Sequence, residues 1–246
     1  MPQDFWFYVV VGFAAQMVDG SLGMAYGVTA STLLLSLGVP PATASATVHA
    51  AECFTTGASA ISHHAFGNVS RQLFRRLLLP GVLGAITGAY LLSSFPGHAL
   101  TPVVALYLMV MGVLIVLKAF REFPPRIVTT HLTSLGFGGA FVDAAGGGGW
   151  GPIVASTLIA RGNDARLTIG SVNAVEFFVT LAASLTFVLM LGLTNWHMIL
   201  ALALGGFVAA PLAAWACTRI PLRPLMVLVG LVVIGLSIRT FVRYYQ

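Results

Sequence analysis

Asp19-Gly-Ser-Leu-Gly-Met-Ala-Tyr-Gly27 and Asp143-Ala-Ala-Gly-Gly-Gly-Gly-Trp-Gly151 are one segment written twice, 124 positions apart. The register extends outward without a gap: residues 12–56 land on 136–180, and 13 of the 45 aligned positions are identical. Gly12, Gly23, Gly27 and Gly38 fall on Gly136, Gly147, Gly151 and Gly162, and Glu52 falls on Glu176. The chain has only seven acids, and four of them form the matched pairs Asp19/Asp143 and Glu52/Glu176. All four sit in apolar stretches. Ionisable groups inside a membrane are costly and mark function. A duplicated membrane chain that keeps one Asp and one Glu per half predicts a transporter with its site at the repeat interface.

Composition supports the membrane reading. Of the 246 residues, 58% are hydrophobic and 8% charged, whereas a soluble domain carries about 25% charged residues. Apolar runs such as 103–117, 177–193 and 198–217 leave no stretch for a separate soluble domain. The net charge of +5 is spread over short loops and helix ends. That is the pattern of topology determinants and not of a nucleic-acid surface. Cys53 and Cys217 both lie in apolar segments and predict free thiols, with no disulfide framework. The N-terminus lacks a basic n-region, so residues 5–18 are expected to be the first membrane element and not a signal peptide.

The predicted fold is all-α and polytopic. It has two inverted-topology repeats, each a broken or re-entrant helical hairpin followed by three transmembrane helices. The first repeat covers 1–120, the linker 121–130 and the second repeat 131–246. The ordinary spans lie near 44–62, 74–94 and 100–120, then near 168–190, 197–217 and 222–242, each long enough to cross about 30 Å of hydrocarbon. The leading elements, 5–37 and 132–160, are interrupted at Asp19–Gly23 and Asp143–Gly149. Four consecutive glycines cannot hold a regular helix, since each costs about 1 kcal/mol relative to Ala. Pro152 then suits the first turn of a restarted helix.

Loop charges set the relation between the halves. In the first half, loop 38–43 has no Lys or Arg, while loop 63–76 has Arg71, Arg75 and Arg76. Loop 94–99 has none, and Lys118, Arg121 and Arg126 lie at the linker. In the second half the pattern flips: Arg161 and Arg166 in 160–167, none in 190–197, and Arg219 and Arg223 in 218–224. By the positive-inside rule the halves run in opposite directions, with the N-terminus outside and the linker inside. Arg239 and Arg243 at the C-terminal end run against this assignment.

The Gly-rich tips are the first candidate site. Free N–H groups at the start of a half-helix attract anions, and glycine lets a ligand approach the backbone closely. Gly147, Gly148, Gly149, Trp150 and Gly151, with the degenerate copy Gly23, Tyr26 and Gly27, are therefore candidate substrate contacts. The scattered glycines Gly81, Gly84 and Gly88 are read as helix packing. Asp19 and Asp143 are either proton-binding or gating groups or caps for frayed N–H groups. Tyr26 and Trp150 either gate the pathway or pack. Glu52 and Glu176 each follow a polar residue by three positions, His49 and Asn173, and so share a helix face with it; Thr56 and Thr180 extend the stripe. These stripes either line the pathway with a carboxyl relay or lock the halves by interhelical hydrogen bonds. His49 is either a charge partner of Glu52 or a neutral core histidine. No Lys or Arg is expected deep in a span. No metal site, cofactor or enzymatic activity is expected.

The Gly-rich tip after an acid, its second copy, and the compact basic two-repeat chain resemble the TauE/SafE family of sulfite and organosulfonate exporters. The resemblance covers essentially the whole chain. It implies export of sulfite, sulfoacetate or related C2–C3 acids across a bacterial cytoplasmic (inner) membrane. The expected partners are a small anionic substrate and membrane lipids, with a homodimer left open and nucleic acid excluded. No phosphate-binding loop of the G-x-x-x-x-G-K-[ST] type is present, so ATP hydrolysis is not expected. A membrane potential of 100 mV supplies about 2.3 kcal/mol per exported charge. Two other readings remain. One is a passive anion channel. The other is an intramembrane aspartyl protease using Asp19 and Asp143, although the Gly-x-Gly-Asp pattern expected of it is missing.

Overall fold

A computed structural model describes residues 2–120, 130–192, 195–216 and 222–246. The linker up to residue 129, with Arg121, Glu122 and Arg126, lies outside the described residues, as do Cys217 and Arg219. The described residues are helical and contain no strand. In chain order they form α1 (Pro2–Leu22), α2 (Tyr26–Ser36), α3 (Pro41–Ala65), α4 (Arg71–Ser94) and α5 (Gly97–Ala119). The second half contributes α6 (Leu132–Gly146), a π-helical turn (Gly151–Ala155) that runs into α7 (Ser156–Ala160), then α8 (Ala165–Leu191), α9 (Trp196–Ala216) and α10 (Leu222–Tyr245).

Local chemistry accounts for the boundaries. Pro40-Pro41 opens α3, where a missing N–H costs nothing. Asp164 caps α8, its Oδ1 accepting from Leu167 N at 2.8 Å. Gly38 and Gly162, matched across the repeat, take φ of +92° and +93° where the arm after each tip ends. Both leading elements are broken, as the sequence predicts, but the breaks fall later. Asp19-Gly-Ser-Leu22 remains helical and the chain leaves α1 at Gly23; α6 likewise runs through Gly146. A single Gly within an otherwise apolar helix is tolerated when neighbours pack on it. The consecutive positive-φ residues cannot be absorbed in this way.

Among the described residues, six helices are long and apolar enough to cross a membrane: Phe5–Leu22, Arg71–Ser94, Ala99–Ala119, Ala165–Leu191, Trp196–Ala216 and Met226–Tyr245. Here α1 differs from expectation, being long enough to span alone. The 25-residue α3 is not among the six, because its buried face is polar. The side chains are arranged inside out relative to a soluble protein. Leu189, Ile61, Leu79 and Trp6 face outward, whereas His49, Glu52, Thr56, Ser59 and Asn173 are buried. That is the arrangement expected where hydrocarbon replaces water as solvent.

The packing is reciprocal between halves. α1 lies on α9 and α6 on α4; α3 pairs with α8, and α5 with α10. Glycine permits the close crossings. Gly12 of α1 meets Leu202 O of α9, while Gly205 of α9 meets Val9 O of α1. Gly136 of α6 faces Leu77 O of α4, and Gly84 of α4 meets Phe137 O of α6. In lipid, helix association relies on such small-residue contact. Thr56 Oγ1 and Thr180 Oγ1, repeat-related residues, face each other at 3.4 Å.

Candidate functional site

Each tip is closed by its own aspartate. Asp19 O accepts from Gly23 N, and Asp143 O accepts from Gly147 N and from Gly148 N at 2.9 Å, which ends the incoming helix. The carboxylates then start the outgoing one. Asp143 Oδ1 accepts from Trp150 N at 3.0 Å, and Asp19 Oδ1 from Tyr26 N at 3.5 Å. Both aspartates therefore sit as caps. No hydrogen bond joins the two among the described residues, as a proton-sharing dyad would require. The intervening residues need positive φ: Gly23 +66° and Ala25 +98° in the first tip, Gly147 +77°, Gly148 +146° and Gly149 +152° in the second.

The matched aromatics are anchors. Tyr26 is fully buried, its OH donating to Leu202 O at 3.2 Å. Trp150 is fully buried, with Nε1 donating to Val172 O at 3.2 Å. The Trp150 ring, with Val179, packs on Gly81 of α4, whereas Gly206 of α9 makes room for Thr55 with the Tyr26 ring beside it. Gly81, Gly84 and Gly88 thus serve packing, as expected, but the packing leaves no slack. A Cβ at Gly84 would strike the Phe137 carbonyl, so even alanine is excluded there.

The two tips touch backbone to backbone. A Cβ on Gly27 would stand 2.9 Å from Gly148 Cα and 3.2 Å from Glu52 Oε1. One on Gly148 would land on Val28 N and Gly27 C; one on Gly151 would land on Gly23 O and Met24 Cα. Tyr107 of α5 covers this junction, its OH donating to Gly148 O at 2.5 Å. Nothing in the sequence marks Tyr107, which lies in a uniformly apolar helix. Tyr107→Phe keeps the ring against Gly146 but leaves the Gly148 carbonyl unsatisfied, at a cost of about 1–3 kcal/mol. The expected result is a folded protein with a lower melting temperature and slower flux, measured by thermal unfolding in detergent and uptake into proteoliposomes.

A polar spine runs beside the tips. Ser45, His49, Glu52, Thr56, Ser59 and His63 follow a strict four–three spacing on α3 and all are buried. Sequence inspection identifies only the middle of this stripe. Continuing the 4-3 count in both directions would have found Ser45, Ser59 and His63. On α8 the equivalent positions are polar only at Asn173, Glu176 and Thr180. The spine reaches the second tip through His49, which does not pair with Glu52. Its Nε2 lies 3.1 Å from Asp143 Oδ2, and Ser45 Oγ donates to Ala144 O at 2.9 Å. His49 and Glu52 share one face of α3, but Asp143 stands at the His49 ring with Phe187 packed beside it, while Glu52 Oε1 lies next to Gly27. Asn173, which replaces His49 in the other half, makes no such pair; its Oδ1 accepts from Ser59 Oγ at 2.8 Å.

Asp19, Glu52, Asp143 and Glu176 are all buried and close enough to feel one another's charge. Asp19 Oδ2, Glu176 Oε2, Ser31 Oγ and both amide atoms of Gln16 have no hydrogen-bond partner among the described residues. Buried polar atoms are nearly always paired, so this concentration sets the tip region apart from the rest of the core. Gln16 and Ser31 give no repeat signal, since Ala140 and Ala155 stand at the matched positions. No group of three His, Cys, Asp or Glu is placed to hold a metal among the described residues. A cation reaches the start of the second outgoing arm: Lys118 Nζ, at the end of α5, donates to Pro152 O at 2.7 Å and to Ser156 Oγ.

These features coincide with a match to a family model. Residues 8–240 match the model described as "Sulfite exporter TauE/SafE". The chain belongs to the TauE/SafE family. Within the family's range, the "Probable membrane transporter protein YtnM" of Bacillus subtilis (strain 168) is 39% identical over 245 residues, 96% of this chain and 82% of that protein. No solved structure matches the chain. With six helices fit to cross a membrane, this TauE/SafE member is an integral membrane protein and a membrane transporter.

Proposed function

We propose that the chain is a secondary transporter exporting a small sulfur-containing anion, sulfite or a C2–C3 organosulfonate, handled where the Gly-rich tips abut. The observation that carries this reading is the backbone contact of Gly27 and Gly151 with the opposite tip, beside Glu52 and the His49–Asp143 pair. Contacting tips are a closed gate, and the absence of side chains between them lets a small ion enter once they part. Asp143 caps the Trp150 N–H group, the position an oxyanion would take at a helix start. The substrate and Asp143 therefore compete for one donor, and the acid is released to take a proton as the anion binds. Inverted halves supply the two access states, because reciprocal packing lets either tip rock against the other bundle. The repeats 1–120 and 131–246 then act as one transport domain, with the N-terminus outside the cytoplasmic membrane. The protein carries out no covalent chemistry on its cargo.

The test is a comparison of acids. Glu52→Gln and Glu176→Gln should alter proteoliposome flux of sulfite or sulfoacetate, whereas Asp4→Asn and Glu122→Gln should leave it unchanged. If Glu52 or Glu176 relays a proton, its amide abolishes the dependence of flux on the pH gradient while substrate binding survives. Wild-type pH dependence in both variants rejects the relay and leaves an interhelical structural role. Wild-type vesicles that move none of these anions reject the exporter reading itself.

A further inference from the structure

The side chains around Lys118 form a cationic cavity at the linker end of the molecule. It measures about 380 Å³ and is lined by Leu114, Leu117, Lys118, Ser156, Thr157 and Arg161, among others. That falls within the roughly 300–1,000 Å³ of small-molecule sites. Lys118 is half-buried, and two of its three ammonium donors are directed at Pro152 O and Ser156 Oγ. Arg161 opens onto the same space from the end of α7, with Nη1 on Thr130 O at 3.2 Å. Two cations and two hydroxyls thus line one pocket, and among the described residues no acid does.

The arrangement recurs in the other half. Gly38, matched to Gly162, lines a cavity of about 240 Å³ at the end of α2 together with Arg243 of α10. Arg243 Nη1 donates to Ser36 O at 3.2 Å. In each case the third span of one half brings a cation to the arm that follows the other half's tip. Lys118 reaches further in, to the first turn after the tip, and Arg243 only to the last.

We propose that the Lys118–Arg161 cavity is an oxyanion-binding entry site, which holds the sulfonate or sulfite group of the cargo before the tips part. This rests on the exporter reading for its role, but the site itself is testable alone. A wall of two cations raises the local concentration of small anions. The Thr157 hydroxyl lines the same space, while Ser156 Oγ accepts from Lys118 and gives its own proton to Pro152 O. An anion that draws the Lys118 ammonium into the cavity also pulls on the π-helical turn that carries Trp150 and Gly151, so occupancy is passed directly to the tip. The chemistry recognised is a singly charged tetrahedral or pyramidal oxyanion, which a lipid phosphodiester headgroup shares.

The experiment uses the full-length protein in phosphatidylcholine nanodiscs, titrated calorimetrically with sulfite and with sulfoacetate. Lys118→Gln and Arg161→Gln should each weaken binding about tenfold or more, as expected for removing one charge from an ion's site. Lys118→Arg should keep most of the affinity, and Arg75→Gln, a charge lost from another cavity, should change nothing. Melting curves for each variant separate lost binding from lost fold. Equal binding by wild type, Lys118→Gln and Arg161→Gln overturns the site. If wild type binds neither probe, the same proteins are moved to phosphatidylglycerol nanodiscs and retained lipid is counted by native mass spectrometry. Lipid retained by wild type and lost from Lys118→Gln assigns the pocket to a headgroup and overturns the cargo-entry role; no retention overturns the site altogether. Failure of the exporter reading looks different: sulfoacetate still binds at Lys118, but no anion crosses wild-type vesicles.

Discussion

Gly148→Ala abolishes flux and lowers stability by about 3–5 kcal/mol, the sum of overpacking and forced backbone strain. Two effects coincide at this residue. Its φ of +146° lies in a region that side chains rarely adopt, and its Cβ would overlap Val28 N and Gly27 C on the opposite tip. Neither neighbour is a flexible side chain, so relief requires the tips to separate. The variant should therefore unfold at lower temperature and, if it folds, sit with its tips apart. Gly138→Ala and Gly235→Ala are the controls, since a Cβ at either meets nothing within 4 Å. Both should retain transport and gain a few tenths to about 1 kcal/mol from higher helix propensity. Thermal unfolding and proteoliposome flux measured on the same preparations check this. A Gly148→Ala protein with wild-type melting and flux would mean that the tips are not in contact in the membrane.

The second large effect lies at the ion pair. Asp143→Ala removes both the partner of His49 and the cap on Trp150 N, and it should cost about 3–5 kcal/mol, the usual penalty for stranding one member of a buried pair. Asp143→Asn should cost less, because Oδ1 can still accept from Trp150 N. His49→Ala should be comparable to Asp143→Ala, and the double variant should cost clearly less than the sum. A coupling of about 2 kcal/mol in that cycle would be typical of residues in direct contact. Asp19→Ala provides the contrast. The repeat counterpart of His49 is Asn173, which is neutral and turned to Ser59, so removing Asp19 strands no histidine charge. If Asp19→Ala and Asp143→Ala destabilise equally, the asymmetry between the tips has no energetic meaning.

The sequence was most readable where backbone chemistry is local. The six ordinary helices were placed within a few residues, because apolar runs of about 20 residues have one stable form in a bilayer. The breaks in the leading elements were announced by Gly147–Gly149 and by Pro152. The sequence places them too early, at Asp19 and Asp143, since a polar residue next to glycine looks like a boundary until its carbonyl is seen ending the helix a turn later. The matched acids stood out in the sequence because they repeat at an offset of 124 residues among so few charges, and all four are buried in the fold.

What the sequence alone determined, then, is a duplicated all-helical membrane chain with two Gly-rich tips and two pairs of buried acids, because composition, helix length and a gapless repeat are properties of the linear order. Only the tertiary structure decided which groups meet. His49 pairs with Asp143 and not with Glu52, Tyr107 closes over Gly148, Lys118 folds onto Pro152, and each aspartate turns back to cap its own tip. The side-chain partners other than the caps are 34 to 94 residues apart in the chain and leave no local pattern. They are selected by which helix faces are brought together, and in this protein that depends on where glycine lets two backbones come into contact.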